Sequence, residues 1–107
     1  MMYKLVFTDR AKEDLREIAF GIAEVSKNVD LAINFVREMQ KSIVILKEFP
    51  NIGAVPRDRI LKALGYRFLT FKDYLIFYTT DAENLTVYII AVFHSKLDYM
   101  KVMSKYL

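Results

Sequence analysis

The sequence of 107 residues has no cysteine and no tryptophan, one histidine, two prolines and three glycines. Without cysteine there is no disulfide framework, no thiolate zinc site and no cysteine nucleophile. A single histidine excludes any centre that needs two. No apolar run approaches the roughly 20 residues of a membrane span. The start, Met1-Met2-Tyr3-Lys4, leads quickly into charged, helix-like sequence and does not read as a signal peptide, so a cytoplasmic protein with no membrane contact is expected. The length suits a single domain spanning residues 1–107.

What the chain does have is aromatic residues and positive charge. It carries eight Phe and seven Tyr, more than a domain this small readily buries. The net charge of +3 is uneven: residues 1–50 hold eight basic and eight acidic side chains, whereas residues 51–107 hold eight basic against five acidic. A basic half suggests an anionic partner, either nucleic acid or an acidic protein segment.

Tyr3–Phe7 is short and apolar and reads as a strand. Thr8 is placed to cap a helix, with Asp9, Glu13 and Asp14 near its positive end. Ala11, Leu15, Ile18, Ile22 and Val25 then recur at helical spacing. Ser26-Lys27-Asn28-Val29-Asp30 breaks this stripe, and either Ser26 or Asn28 can cap a second helix. That helix has its own stripe of Ala32, Phe35, Met39, Ile43 and Leu46, widened by Val36 and Ile45. It should end near Glu48 or Phe49, because Pro50 disfavours helical backbone before it. Both stripes are read as core packing in a helical hairpin. Pro50–Lys62, with both prolines and Arg57, Arg59 and Lys62, is read as a loop.

From Gly65 the pattern turns to β. Tyr66–Phe71, Tyr74–Thr80 and Leu85–Phe93 form three runs separated by Lys72-Asp73 and by Asp81–Asn84, which predicts an antiparallel meander. The central runs are apolar at consecutive positions, so both sheet faces need cover. The hairpin covers one. The other is left exposed or is covered by something else, for which another chain is a candidate. Residues His94–Met103 are either a short C-terminal helix or an irregular tail. The fold class is therefore α+β: N-terminal strand, helical hairpin, then three-stranded antiparallel meander.

This order resembles the RelE/ParE superfamily of type II toxin–antitoxin toxins. The resemblance rests on the opening Tyr3–Thr8 with Ala11–Leu15, on Phe49-Pro50-Asn51-Ile52-Gly53, on Gly65-Tyr66-Arg67, on Tyr74-Leu75-Ile76-Phe77-Tyr78, on Val87-Tyr88-Ile89 through Val92, and on His94 followed by Asp98. It implies a growth-inhibiting, plasmid-stabilising toxin held inactive by a cognate antitoxin, with operator DNA bound only through that antitoxin. ParE-like members inhibit DNA gyrase, and RelE-like members cleave mRNA on the ribosome without a metal. Neither activity implies a cofactor or a metal.

RNA cleavage needs a base for the 2′-hydroxyl, a cation for the developing phosphorane charge and an acid for the leaving oxygen. The candidate catalytic residues are Arg67, His94 and Lys96. His94, the one imidazole, has the right titration range for acid–base work but also suits a structural hydrogen bond at a strand end. Arg67 can bind phosphate or pair with Asp73 or another acid. Tyr99 can offer a phenol or simply pack. Leu69, Thr79 and Leu97 are uncharged where cations would serve a nuclease, so the depleted cation set and long hairpin favour the ParE-like reading, with the RelE-like endoribonuclease as the alternative.

Overall fold

The computed structural model describes residues 2–106. The chain runs through β1 (Lys4–Phe7), α1 (Asp9–Ser26), α2 (Val29–Ile43), α3 (Arg59–Ala63), β2 (Arg67–Phe71), β3 (Tyr74–Asp81), β4 (Thr86–His94) and α4 (Tyr99–Met103), with 3-10 turns at Val44–Lys47 and Ser104–Tyr106. The strands β2, β3 and β4 form the antiparallel meander, and β1 adds in parallel beside β4, giving the order β1-β4-β3-β2.

The caps follow from side-chain chemistry. Thr8 Oγ1 accepts from the Ala11 N–H at 3.1 Å and starts α1. The helix ends where Lys27 turns left-handed, at φ 56°, and donates its N–H to the Ala23 carbonyl. Of the two candidates for capping α2, Asn28 does so, accepting from Leu31 N–H at 3.0 Å. The Ser26 hydroxyl instead donates back to the Ile22 carbonyl at 2.6 Å. Ahead of Pro50, α2 tightens to three residues per turn from Val44 onward.

The hairpin lies on one sheet face, where Leu15, Met39, Ile43 and Leu46 close over Ile76, Tyr78, Ile89 and Val92. Two positions of the expected stripes are corrected. Val25 is 89% exposed. Its helix overruns the sheet: Asp14 already lies over Val92, and the twelve residues from there to Ser26 rise about 18 Å, whereas β4 ends at His94. Ile45 is also exposed, because in the 3-10 turn it is Leu46 that swings inward.

The opposite face needs no second chain. Leu61 of α3 and Met103 of α4, with Tyr99, Val102 and Tyr106, pack on Tyr66, Phe77, Ala91 and Phe93. Phe77 is stacked between Phe68 and Phe93, with ring centroids 5.2 and 5.5 Å away. The tail is thus helical, and its cover explains the consecutive apolar residues of β3 and β4. The expected loop at Pro50–Lys62 is corrected in part: Asp58 accepts from the Leu61 N–H at 3.0 Å and caps the short helix α3.

A bulge changes the phase of β4. Phe77 pairs with Ala91 but Tyr78 pairs with Ile89, so Ile90 is extra. Ile90 and Ala91 both serve the tail-covered face, and Val92 returns to the hairpin face. Backbone groups freed here are taken by α1 and its cap. Thr8 Oγ1 donates to the Ile90 carbonyl at 3.2 Å, and the buried carboxylate of Asp14 accepts from the Val92 N–H at 2.9 Å.

Candidate functional site

His94 closes β4, paired with Tyr74 of β3. Its ring meets the Tyr74 ring edge-on at 5.3 Å. Its Nδ1 accepts from the backbone N–H of Lys96 at 3.0 Å, so the neutral ring carries its proton on Nε2. Lys96 is thereby placed beside His94 through the backbone, with its side chain in solvent. His94 lines an open groove of about 720 Å³ between the overrunning part of α1 and the end of β4. Ile18, Ile22 and Leu97 make much of its wall apolar, and Arg10, Asp14, Glu17 and Lys105 give it charge of both signs.

The polar end of this groove was not foreseen. Asp14 Oδ1 takes the Arg10 Nε–H at 2.9 Å while Oδ2 holds the Val92 amide, and that carboxylate raises the Arg10 pKa. Nearby, burial pushes the Tyr106 phenol up, against the lowering pull of Arg10. A signal existed in the sequence: Asp14 stands three residues after Ala11 and four before Ile18, an acid inside an apolar stripe. The contribution of Tyr74 to the groove had no such signal, because its position looks like any other in an aromatic strand.

Arg67 is elsewhere. It opens β2 opposite Tyr78, and its Nη1 donates to the Gly53 carbonyl at 3.0 Å; among the described residues it forms no ion pair with Asp73. Leu69 shares its face, as expected, and packs against the core under the hairpin. Tyr78 and Tyr74, the cross-strand partners of Arg67 and His94, are four residues apart on β3. With about 3.3 Å per residue and about 4.8 Å between strands, Arg67 and His94 sit roughly 16 Å apart. The structure brings His94 and Lys96 together but leaves Arg67 at the other end of the sheet.

The remaining positions have structural partners. Tyr99 packs beside Phe77 and Phe68 and accepts the Arg57 N–H on its hydroxyl at 3.2 Å. Asp98, the acid four residues after His94, accepts from Met100 N–H at 3.0 Å and caps α4. Among the described residues, no cluster of three or more His, Asp and Glu side chains is arranged to hold a metal ion. No helix among them is long and apolar enough to cross a membrane.

The model of the ParE toxin of the parDE type II toxin–antitoxin system matches residues 5–99. The chain belongs to this family. As a ParE-family member of the RelE/ParE superfamily, it shares its fold with several solved structures. One is a chromosomal ParDE system from P. aeruginosa, at 20% identity over 87% of this chain and 96% of that one, with a TM-score of 0.71. Another is the free E. coli RelE toxin carrying two arginine-to-alanine changes, at 18% identity over 100% of both chains, with a TM-score of 0.67. A third is that mutant RelE in complex with an antitoxin RelBc peptide, at 19% identity over 100% of this chain and 96% of that one, with a TM-score of 0.61. No curated protein sequence matches this ParE-family chain.

Proposed function

We propose that this ParE-family toxin acts in the cytoplasm by binding a protein target, DNA gyrase, and that a cognate antitoxin neutralises it and carries any contact with operator DNA. The observation that supports this reading is the separation of Arg67, the one candidate catalytic cation on the sheet, from the imidazole. Stabilising a phosphorane needs cations converging on the site where the acid–base group works. The backbone of Arg67 lies roughly 16 Å from that of His94 by strand geometry, and its Nη1 donates to the Gly53 carbonyl. The His94 groove sets the acids Asp14 and Glu17 against Arg10 and Lys105, so its lining offers a phosphodiester no excess of positive charge, and its apolar walls suit a peptide.

The RelE-like alternative, a ribosome-dependent mRNA endoribonuclease, draws on one arrangement. His94 is fixed by Lys96 N–H so that Nε2 is the free ring nitrogen, with Tyr74 alongside as a phenol. Under that reading His94 is the acid–base group, and Lys96 and Arg67 supply charge.

Induced expression without antitoxin separates the two. Protein binding to gyrase predicts growth arrest with DNA-damage signalling, loss of plasmid supercoiling and intact mRNA. New mRNA ends within ribosome-bound codons, mapped by primer extension while supercoiling persists, would overturn it.

A further inference from the structure

The segment between α2 and β2 combines exposed apolar side chains with cations that no acid pairs. Phe49, Ile52, Val55, Ile60 and Leu64 are all large, apolar and about half exposed. Residues 49–64 also hold Arg57, Arg59 and Lys62, against the single acid Asp58, whose carboxylate is used in capping α3. The ion pairs among the described residues are Arg10–Asp14, Arg16–Glu13 and Lys41–Glu38, so these three cations have no acidic partner. On α3, Ile60, Ala63 and Leu64 line a shallow hollow together with Arg59.

An apolar loop surface is ordinarily mobile, but this one is fixed from beneath. Ala54 and Phe68 exchange two backbone hydrogen bonds of 2.8 and 2.9 Å. Gly53 donates its N–H to the Tyr78 hydroxyl at 2.9 Å and accepts from Arg67 at 3.0 Å. Arg57 N–H is tied to Tyr99, and Leu61 is buried under the sheet. A surface already ordered before contact loses little entropy on binding.

We propose that this face, centred on Ile60 and Leu64 of α3, docks an acidic amphipathic helix of a partner protein. The apolar pair at i and i+4 offers a ridge for the partner's apolar stripe, and Arg59 and Lys62 meet its flanking carboxylates. Strand addition beside it is hindered at Phe68, where Ala54 already bridges the outer edge of β2. A nucleic acid would use the cations and leave the five apolar side chains without a role. A second copy meeting the same face would set Arg59 and Lys62 against their own equivalents. The assignment does not depend on whether the toxin acts on gyrase or on mRNA.

The probe is a fluorescein-labelled helical peptide with a leucine stripe flanked by glutamates, and its counterpart with lysine in place of each glutamate. Anisotropy with the full chain should show binding of the acidic peptide alone, weakening as salt is raised. Amide shifts in nuclear magnetic resonance should centre on residues 55–64. The double substitution Arg59→Glu/Lys62→Glu should weaken binding by about tenfold, and Ile60→Ser/Leu64→Ser should weaken it comparably, at unchanged melting temperature because all four side chains are exposed. The single Lys62→Glu variant serves if a double variant melts early. Binding that neither double variant changes, or shifts centred on the His94 groove, would overturn the proposal. So would binding only of a labelled single-stranded RNA or of anionic phospholipid vesicles.

Discussion

Replacing Asp14 by Ala tests how the bulge in β4 is held. The carboxylate is 7% exposed and makes two bonds: one from the buried Val92 N–H at 2.9 Å and one from Arg10 at 2.9 Å. The Arg10 side chain is half exposed, so that pair contributes under about 1 kcal/mol. Leaving the Val92 amide without an acceptor costs about 1–3 kcal/mol. Alanine's better helix propensity returns about 0.5 kcal/mol. The net loss is about 2 kcal/mol, or a fall of roughly 10 °C in melting temperature for a chain of this size. Urea unfolding should rank the variants Asp14→Ala, then Asp14→Asn, whose amide oxygen still accepts from Val92, then Arg10→Ala. Hydrogen exchange at the Val92 amide should accelerate most in Asp14→Ala. A loss under about 0.5 kcal/mol, or one no larger than that of Arg10→Ala, would refute the reasoning.

Three further outcomes follow from the geometry. A Cβ on Gly53 would lie 2.6 Å from the Tyr78 hydroxyl and 2.9 Å from the Phe68 carbonyl. Gly53→Ala should therefore destabilise the fold by about 1–3 kcal/mol in denaturant titration, whereas Gly21→Ala, with open space around it, should not. The Asn84 side-chain amide, and then its backbone N–H, hold Asp81 below its ordinary pKa of 3.8. A lowered folded-state pKa stabilises the protein above the unfolded value, and that contribution fades as pH falls through the folded value. Carboxyl chemical shifts should show Asp81 titrating below 3.8, and Asn84→Ala should return it toward 3.8; an unmoved midpoint would contradict the cause. Under the protein-binding reading, His94→Ala and Arg67→Ala should each leave growth arrest largely intact at matched protein levels. Full relief by both would favour the nuclease.

The parts legible in sequence are those where one residue type has one physical use. Thr8 announced α1, and Ser26 and Asn28 together announced α2, because short polar side chains outside a stripe satisfy free N–H groups; the structure chose Asn28 over Ser26. The β-runs around Tyr74–Tyr78 and Val87–Phe93 were plain in branched and aromatic composition. Val25 misled because periodicity reports which side of a helix is apolar, not where the sheet beneath it ends. The helix α3 was hidden among prolines, since one turn held by Asp58 is too short to show a period. Cover of the second sheet face by Met103 and its neighbours was invisible for the same reason. At the candidate site, His94 and Lys96 are two residues apart and their proximity was readable. The distance from Arg67 to both is set by strand register, which a single sequence leaves open.

The most direct test of the functional account uses purified components. Full-length toxin is titrated into gyrase with ATP and relaxed plasmid, and in parallel into ribosomes carrying a defined mRNA. The account predicts loss of supercoiling by gyrase, reversed by the cognate antitoxin, with the mRNA left whole. Undiminished supercoiling at toxin excess, together with cleavage of the mRNA, would contradict it.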